Sequence, residues 1–247
     1  MDSKLFVAIV DNGLGLITTN FFISYLNAFQ GRDTFVQTFS DSLIPRARNK
    51  AAARFLQTDR DYLLFIDTDI VFTKDHIDCL MESSEPVLGG LYCKKEREVA
   101  PCYNLLDTKM ISVGGIAELR RTGTGFLRIH RMVLERMKEN PHVPHWTTAP
   151  IYHNHGQPEW DFFPTGVKDH EYLSEDWFFC DRARELGFKV MVDTRIQVLH
   201  QGVAFYPSED AIERRKLLES DINKKIEEGV QLSLDTPKLT DVDGNRS

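Results

Sequence analysis

Two aspartates at the end of the most hydrophobic run of the chain are the first candidates for chemistry. The stretch YLLFIDTD places Asp67 and Asp69 directly after an apolar run, with only Thr68 between them. Residues i and i+2 of an extended segment point to the same side, so both carboxylates can converge on one point. Because like charges repel, an oxygen-preferring divalent cation is the natural partner, which predicts bound Mn²⁺ or Mg²⁺. The alternative is that these aspartates form an ordinary turn or helix cap.

Two further segments carry residues that suit a phosphorylated ligand. SLIPRARNKAAARF precedes the aspartate run and opens a predicted helix with Arg46 and Arg48. The N-terminus of a helix attracts phosphate, and both guanidinium groups would add to that attraction. TGTGF contains Gly123 and Gly125, which permit the close backbone approach that a bulky ligand needs. Both segments therefore predict contacts with a ligand near the aspartates.

Two late segments supply polar side chains for the same site. SEDWF places Glu175 and Asp176 at the start of a predicted helix. They are either catalytic carboxylates or acids that favour a helix N-terminus for structural reasons. VLHQG ends a late strand with His200, which is either a third metal ligand or a histidine with a structural role.

Strands and helices alternate through the first 93 residues, and these elements must position the site. This alternation predicts an α/β fold with a mostly parallel central sheet flanked by helices on both faces. Such sheets bind ligands at the carboxyl ends of their strands, where both aspartates fall. The periodicity predicts strands at 4–10, 33–39, 61–69 and 86–93, and helices at 18–30, within 40–57 and at 73–83.

The second half of the sequence is less regular. It predicts two strands and a helix within 111–137, a helix at 174–187, and strands at 188–200. Residues 140–172 form a long segment rich in Pro, His and aromatic residues, predicted to close as a lid over the ligands. The alternative is that its aromatic side chains fasten the segment to the body of the protein.

The C-terminal part predicts an amphipathic helix and a tail. Residues 206–232 carry an apolar stripe, which indicates a helix that docks on the body or on a partner and allows a homodimer. Residues 233–247 are polar and predict a flexible tail.

Composition excludes several classes of function. The 247-residue chain has a net charge of −7 and no dense Lys/Arg block, so no nucleic-acid partner is expected. No window supplies ~18 consecutive apolar residues, so no membrane span is expected. The four cysteines are scattered, which predicts free thiols in a reducing compartment. A cytoplasmic location is expected, or the host cytoplasm if the chain is viral.

The order of these motifs resembles that of the nucleotide-sugar-dependent glycosyltransferases of the A-type fold. The sequence is similar in style to the short, single-domain transferases of large DNA viruses, phages and bacteria. The resemblance implies a Rossmann-like domain over 1–205, with a nucleotide-sugar-binding half at 1–100 and an acceptor-side half at 101–205. It rests on D-x-D at 67–69, G-x-G-F at 123–126, E-D-W at 175–177 and H-x-G at 200–202.

The resemblance also implies how the donor is bound. Asp67 would contact the ribose or the metal ion, while Asp69 and His200 would bind the Mn²⁺ or Mg²⁺ that bridges the diphosphate. The turn IVDNGLG departs from the Pro-Thr-Tyr-type sequence that is frequent in inverting relatives. This turn would hold the nucleotide base through Val10, Asp11 and Asn12.

On the acceptor side, the resemblance assigns the two late carboxylates. Glu175 and Asp176 would face the acceptor, and Asp176 would be the base that removes the proton of the acceptor hydroxyl. A general base of this kind typically contributes ~10²–10⁴-fold to a rate.

These inferences predict a metal-dependent glycosyltransferase with a UDP- or GDP-linked sugar donor. It would transfer the sugar, with inversion, to a hydroxyl of a glycan, a glycoprotein or another acceptor. Three alternatives stay open: a retaining glycosyltransferase with the same metal site, a nucleotidyltransferase-like α/β enzyme, and a non-catalytic sugar- or nucleotide-binding module. A nucleotidyltransferase would need a basic phosphate loop near the first strand, and VDNGLG contains no Lys or Arg.

Overall fold

The structure is a computed structural model that describes residues 4–95, 100–107, 110–147, 157–202 and 205–206. The chain divides into two compact units, Met1–Ala211 and Ile212–Ser247. Every described residue lies in the first unit. Apart from Tyr206, the helix predicted at 206–232 and the tail predicted at 233–247 lie outside the described residues.

The described residues form five helices and sixteen strands. None of these helices is long and apolar enough to span a membrane. The helices are α1 (Thr19–Phe29), α2 (Ile44–Leu56), α3 (Lys74–Glu82), α4 (Arg131–Lys138) and α5 (Glu175–Glu185). The strands are β1 (Leu5–Asp11), β2 (Thr34–Ser40), β3 (Tyr62–Asp67), β4 (Ile70–Val71), β5 (Val87–Leu91), β6 (Tyr103–Leu105), β7 (Ser112–Val113), β8 (Ile116–Thr122), β9 (Phe126–His130), β10 (His145–Thr147), β11 (Pro158–Trp160), β12 (Gly166–Lys168), β13 (Glu171–Leu173), β14 (Val190–Gln197), β15 (Leu199–Gln201) and β16 (Phe205–Tyr206).

A nine-stranded mixed sheet forms the centre of the fold, with the order β2-β1-β3-β9-β5-β14-β8-β6 and β7 paired to β8. Seven of these strands run in one direction, whereas β8 and β9 run in the opposite direction. The predicted α/β fold with flanking helices is confirmed. The sheet is nevertheless mixed, because β9 inserts antiparallel between β3 and β5. Parallel neighbours were expected from helical crossovers, but the chain reverses at the antiparallel pair β7–β8, and β9 then keeps the direction of β8 with no helix between them.

Helices cover both faces of the sheet. A central strand such as β1 is therefore buried on both sides, which explains why its sequence is apolar up to the last residue. All seven residues of β1 are buried. Its side chains alternate between two cores, so every position except the last contributes apolar surface. Burying one such large side chain contributes ~1.5–3 kcal/mol. On one face Phe6, Ala8 and Val10 share a core with the alanines of α2, and on the other Leu5, Val7 and Ile9 share a core with Phe21 of α1 and Ile77 of α3.

The end of the long segment 140–172 packs into the core. Phe162 and Phe163 are fully buried, and the Phe163 ring stacks on that of Phe179 with centroids 4.6 Å apart. The Phe163 N–H donates a hydrogen bond of 2.9 Å to the side-chain oxygen of Asn49. The part of the segment around Phe162 and Phe163 is therefore packed on the body of the protein, which is what the alternative to a lid predicted. Residues 148–156 lie outside the described residues, so the lid prediction stays a prediction there.

A buried arginine holds the C-terminal end of α3. The guanidinium of Arg128 donates to the carbonyls of Leu80, Ser83 (2.9 Å) and Glu85 (2.6 Å), and it lies 4.3 Å from the ring centroid of Tyr62. Burial lowers its pKa to about 10. The charge is kept in the interior because it binds carbonyls that the helix cannot satisfy itself.

Replacing this side chain should therefore destabilise the fold. We expect Arg128→Met to lower the free energy of unfolding by about 2–4 kcal/mol, since buried carbonyls lose their donors. Urea denaturation measures the change. Arg136→Met is the control, because Arg136 is exposed on α4 and pairs with Glu139, and it should change stability by less than ~0.5 kcal/mol. Equal stability of both variants would contradict this role of Arg128.

Candidate functional site

A cleft of about 1010 Å³ lies at the carboxyl ends of β1 and β3. Its size suits a nucleotide-sized ligand. Val10, the next-to-last residue of β1, and Asp67, the last residue of β3, are register partners in these parallel strands. The cleft brings together most residues that the sequence singled out, namely Val10, Asp11, Asn12, Arg48, Asp67, Asp69 and Glu175.

Arg48 is the central charge of this cleft. It lies on α2, its side chain is only 4% exposed, and it binds two carboxylates from different elements. Its Nη2 donates to Asp67 Oδ1 (3.0 Å) and Oδ2 (3.3 Å), while its Nε donates to Glu175 Oε1 (3.2 Å). Burial alone would lower the pKa of Arg48, but the charges of Asp67 and Glu175 outweigh burial and raise it. Within the described structure no acceptor reaches its buried Nη1.

The two aspartates of the D-x-D motif both reach the cleft but differ in their surroundings. Asp67 ends β3, whereas Asp69 lies in the turn before β4, so strand alternation is not what brings them together. Burial raises the pKa of Asp67; Arg48 opposes this effect and Asp69 adds to it. Burial would also raise the pKa of Asp69, but the adjacent His200 ring and the pairing with Lys95 outweigh burial and lower that pKa.

His200 is placed beside Asp69 by strand pairing, because β15 pairs with β4 and sets His200 opposite Ile70. Its Nδ1 lies 2.8 Å from the Cys93 carbonyl oxygen. A carbonyl only accepts, so Nδ1 carries a proton, and in the neutral ring Nε2 is then an acceptor. Nε2 lies 3.3 Å from Asp69 Oδ1, so two acceptors face each other unless a cation or a proton lies between them.

This pair fits one edge of a metal site. Adjacent ligands of an octahedral ion at about 2.1 Å lie about 3 Å apart, close to the observed 3.3 Å separation. Asp69 Oδ1 is buried and makes no hydrogen bond within the described residues. A metal-binding histidine commonly donates its other ring N–H to a carbonyl, as Nδ1 does here. The described residues contain no group of three or more His, Cys, Asp or Glu arranged around a metal position, so the set of Asp67, Asp69 and His200 as metal ligands stays a prediction.

Asp11 shapes the turn that was expected to hold the nucleotide base. Its Oδ1 accepts from the N–H groups of Gly13 (2.8 Å) and Gly15 (3.0 Å) and from the Ser40 hydroxyl (2.9 Å). The Val10 side chain is buried in the core. Asn12 is exposed and lines the cleft, which makes it the side chain of the three with hydrogen-bonding capacity toward a ligand.

Gly123 and Gly125 allow a close approach, but the approaching group is Tyr92. A methyl group on Gly123 would lie 2.1 Å from the Tyr92 Oη, and one on Gly125 would lie 2.9 Å from it. The Gly125 N–H donates to this Oη at 2.8 Å. These glycines therefore make room for a phenol ring and not for a ligand that lies directly on them. Sequence reasoning missed Tyr92, although two glycines in three residues signal that some bulky side chain lies close.

Arg46 was expected to bind phosphate, but it points elsewhere. Its guanidinium forms two hydrogen bonds of 2.7 Å with Asp41, and it is not among the described residues that line the cleft. The hydrogen bond from Arg46 holds the pKa of Asp41 well below its usual range. Residues i and i+2 of a helix face different directions, so Arg46 and Arg48 cannot serve the same site.

Asp176 lies beside the cleft at the start of α5. Its Oδ1 accepts from the Ser174 hydroxyl and from the Trp177 N–H (2.8 Å), and the Ser174 side chain forms no capping hydrogen bond with the helix backbone. Burial, then the charge of Glu175, raises the pKa of Asp176. No hydrogen bond reaches Oδ2 within the described part of the chain, and a methyl group on Gly123 would lie 3.5 Å from this oxygen. Glu175 lines the cleft, whereas Asp176 does not.

Comparison with known proteins adds information about the fold. No protein family matches the sequence, and neither does any curated protein. The fold resembles that of A197 from STIV. That crystal structure matches with a TM-score of 0.50 at 18% identity, over 81% of this chain and 86% of that one. S. aureus TarS 1–349 in complex with UDP-GlcNAc matches with a TM-score of 0.40 at 12% identity, over 83% and 57% of the respective chains. At these identities the likeness to A197 shows the fold alone.

Two aspartates of α5 should respond to substitution with opposite signs. Asp176 has a raised pKa, so its ionised form destabilises the native state at neutral pH. For Asp181, burial would raise the pKa, but hydrogen bonds from the buried Arg121 (2.8 Å each) outweigh it and lower the pKa. Its charge therefore stabilises the native state above its unfolded pKa.

We expect Asp176→Asn to raise the free energy of unfolding at pH 7 and Asp181→Asn to lower it by about 2–4 kcal/mol. The difference for Asp176 should shrink as the pH falls toward the unfolded pKa of about 3.9, whereas the difference for Asp181 should shrink only as the pH falls below that value, because its native pKa is lowered. Urea denaturation at several pH values measures this. A destabilised Asp176→Asn protein at pH 7 would contradict the first half.

Proposed function

We propose that this chain is a metal-dependent glycosyltransferase that moves a sugar from a UDP- or GDP-linked donor to an acceptor hydroxyl, with inversion. The observation that carries this proposal is the close approach of Asp69 Oδ1 to His200 Nε2, 3.3 Å apart, with Asp69 in the wall of the large cleft and His200 next to it, outside the described lining. A divalent cation removes their repulsion and attracts a diphosphate. The order of the four sequence motifs supports the same assignment.

On the donor side, the cation would be held by Asp69 and His200, with Asp67 bound to the ribose or completing the metal shell. When bound, Mn²⁺ or Mg²⁺ supplies Lewis-acid stabilisation of the diphosphate leaving group. Arg48 fixes the Asp67 carboxylate from beneath, so Asp67 cannot turn away from the ligand. Asn12 at the mouth of the cleft offers hydrogen bonds to the base.

On the acceptor side, Asp176 is the better candidate base of the two adjacent acids. Glu175 Oε1 already accepts a hydrogen bond from the buried Arg48, which holds this carboxylate in place. Asp176 has an oxygen without a hydrogen bond in the described structure, and burial raises its pKa toward the operating pH. In the transfer, the acceptor oxygen bonds to the anomeric carbon and its proton moves to Asp176 Oδ2. The bond from the anomeric carbon to phosphate oxygen breaks, and the electron pair leaves with the diphosphate.

One observation favours a retaining glycosyltransferase as a second candidate. Asp176 is absent from the described lining of the cleft, so the acceptor hydroxyl must approach it past Glu175. A retaining enzyme would use the same metal site and would not require this base. The two candidates differ in the anomeric configuration of the product.

The metal assignment predicts the behaviour of Asp69→Asn. This variant keeps the size of the side chain but removes its charge, so Mn²⁺-dependent binding of the nucleotide diphosphate should be lost. His200→Ala should weaken metal affinity less, since water can replace one neutral ligand. A thermal-shift panel of nucleotide sugars identifies the nucleotide, because a ligand of the native state stabilises it by RT ln(1 + [L]/Kd). Calorimetry with that nucleotide diphosphate then measures affinity.

Asp75→Asn is the matched control, because Asp75 is an exposed aspartate in the first turn of α3. It should bind Mn²⁺ and nucleotide as the parent protein does. Unchanged Mn²⁺–nucleotide affinity in Asp69→Asn would show that the metal is bound elsewhere or is not used.

The base assignment predicts a different loss. Asp176→Asn should bind donor and metal about as before, while turnover falls by ~10²–10⁴. The loss should appear in kcat and in kcat/KM, as for an interaction made mainly in the transition state. Glu175→Gln should cost less if Glu175 only orients the site through Arg48. Near-normal transfer by Asp176→Asn, or a product that keeps the anomeric configuration of the donor by NMR, would rule out this role of Asp176.

A further inference from the structure

Lys95 lies at the rim of the cleft. It follows β5 at a point where two chain segments meet: Cys93 forms an isolated bridge with Pro101, and the Lys94 N–H donates to the Ala100 carbonyl at 2.8 Å. Lys95 lines the cleft, and its side chain is 36% exposed. Solvent and a ligand can therefore reach its ammonium group.

Lys95 and His200 bind different oxygens of the same carboxylate. The Lys95 ammonium pairs with Asp69 Oδ2, whereas His200 Nε2 faces Asp69 Oδ1. A cation held at Oδ1 therefore does not need the position that Lys95 occupies. Asp69 thus has room for two positive charges, one fixed by the protein and one exchangeable.

The described wall of the cleft is acidic, so binding of a diphosphate requires an accessible positive charge from the protein in addition to the divalent ion. Four carboxylates line the described wall, those of Asp11, Asp67, Asp69 and Glu175. Arg48 also lines it, but its guanidinium is buried and already bound to two of these carboxylates. Of the basic residues in the described lining, Lys95 is therefore the one with an accessible charge. Without it the wall would repel an anionic ligand.

We propose that Lys95 binds the diphosphate of the donor directly, beside the cation position at Asp69 and His200, and so gives the cleft affinity for diphosphate even without a divalent ion. This inference rests on the proposed function. An ammonium group is a compact charge with three donors, so it can bind a phosphate oxygen while it stays near Asp69. As the bond between sugar and phosphate breaks, negative charge grows on the diphosphate, and Lys95 stabilises that charge without giving up its proton.

Lys95→Met tests this role, because methionine keeps the length of the side chain and removes its charge. Binding of UDP, GDP and inorganic pyrophosphate is measured by calorimetry, once with EDTA and once with Mn²⁺. We expect the parent protein to bind one of these probes weakly in EDTA, and Lys95→Met to bind it about 10- to 100-fold less tightly, the range of one charge-assisted hydrogen bond. The ratio of affinities with and without Mn²⁺ should therefore rise in the variant.

Two further variants make the result specific. Lys95→Arg keeps the positive charge and should retain most of the affinity in EDTA. Lys189→Met removes a lysine whose side chain is 66% exposed and that pairs with Glu118, and it should bind as the parent protein does. Loss of affinity in both methionine variants would indicate an effect of net charge alone and would overturn the assignment of Lys95.

Other outcomes separate this inference from the proposed function. If the parent protein binds a probe and Lys95→Met binds it equally well in EDTA, the inference fails and the proposed function stands. If Lys95→Met binds Mn²⁺ alone more tightly and loses no diphosphate affinity, Lys95 only competes with the metal for Asp69, which also overturns the inference. If the parent protein binds none of the probes with or without Mn²⁺, both fail.

Discussion

The buried contact of Arg48 with Asp67 and Glu175 is the interaction on which the site depends. It joins α2, β3 and the start of α5, which are distant in sequence. A buried guanidinium without partners is very costly, so the three elements are stable only in an arrangement that keeps both carboxylates in reach. Arg48 also opposes the effect of burial on Asp67, although the pKa of this carboxyl is still raised. The floor of the cleft is therefore fixed before any ligand binds.

The wall around Asp69 is built differently. Its Oδ2 pairs with the exposed Lys95 and its Oδ1 lies beside His200, and neither of these partners is a buried arginine. Water and ligands can reach Lys95, so its contact can be exchanged at lower cost than the contacts of Arg48. The cleft thus combines a rigid electrostatic floor with an adaptable rim. Such a division suits a ligand whose charge changes while it is bound. The exposed side chains of the rim can rearrange as that charge changes, while the buried contacts of the floor keep the geometry of the site.

Much of the fold could be predicted from the sequence because its signals are local. The apolar run of β1, the Thr18 cap of α1 and the Thr73 capping box of α3 each depend on a few neighbouring residues. The direction of β9 has no such signal, since an apolar strand buried on both faces looks the same in either direction.

The candidate site was predictable to a similar degree and for similar reasons. Asp67, Asp69 and His200 could be grouped because strand ends meet at one edge of a sheet. Helical spacing could have separated Arg46 from Arg48, which lie on different sides of α2. Tyr92 and Lys95 could not be found, because their partners are set by tertiary contacts with distant glycines and with Asp69.

The fit between Gly123 and Tyr92 has a consequence for how this protein can evolve. A methyl group at Gly123 and the hydroxyl of Tyr92 would occupy the same volume, so neither position can drift alone. A lineage that shortened the side chain at position 92 would open a void beside Asp176 and would free Gly123 to accept a larger residue. The two positions should therefore change together among descendants of this chain, and their joint identity would record whether the packing beside Asp176 has been rebuilt.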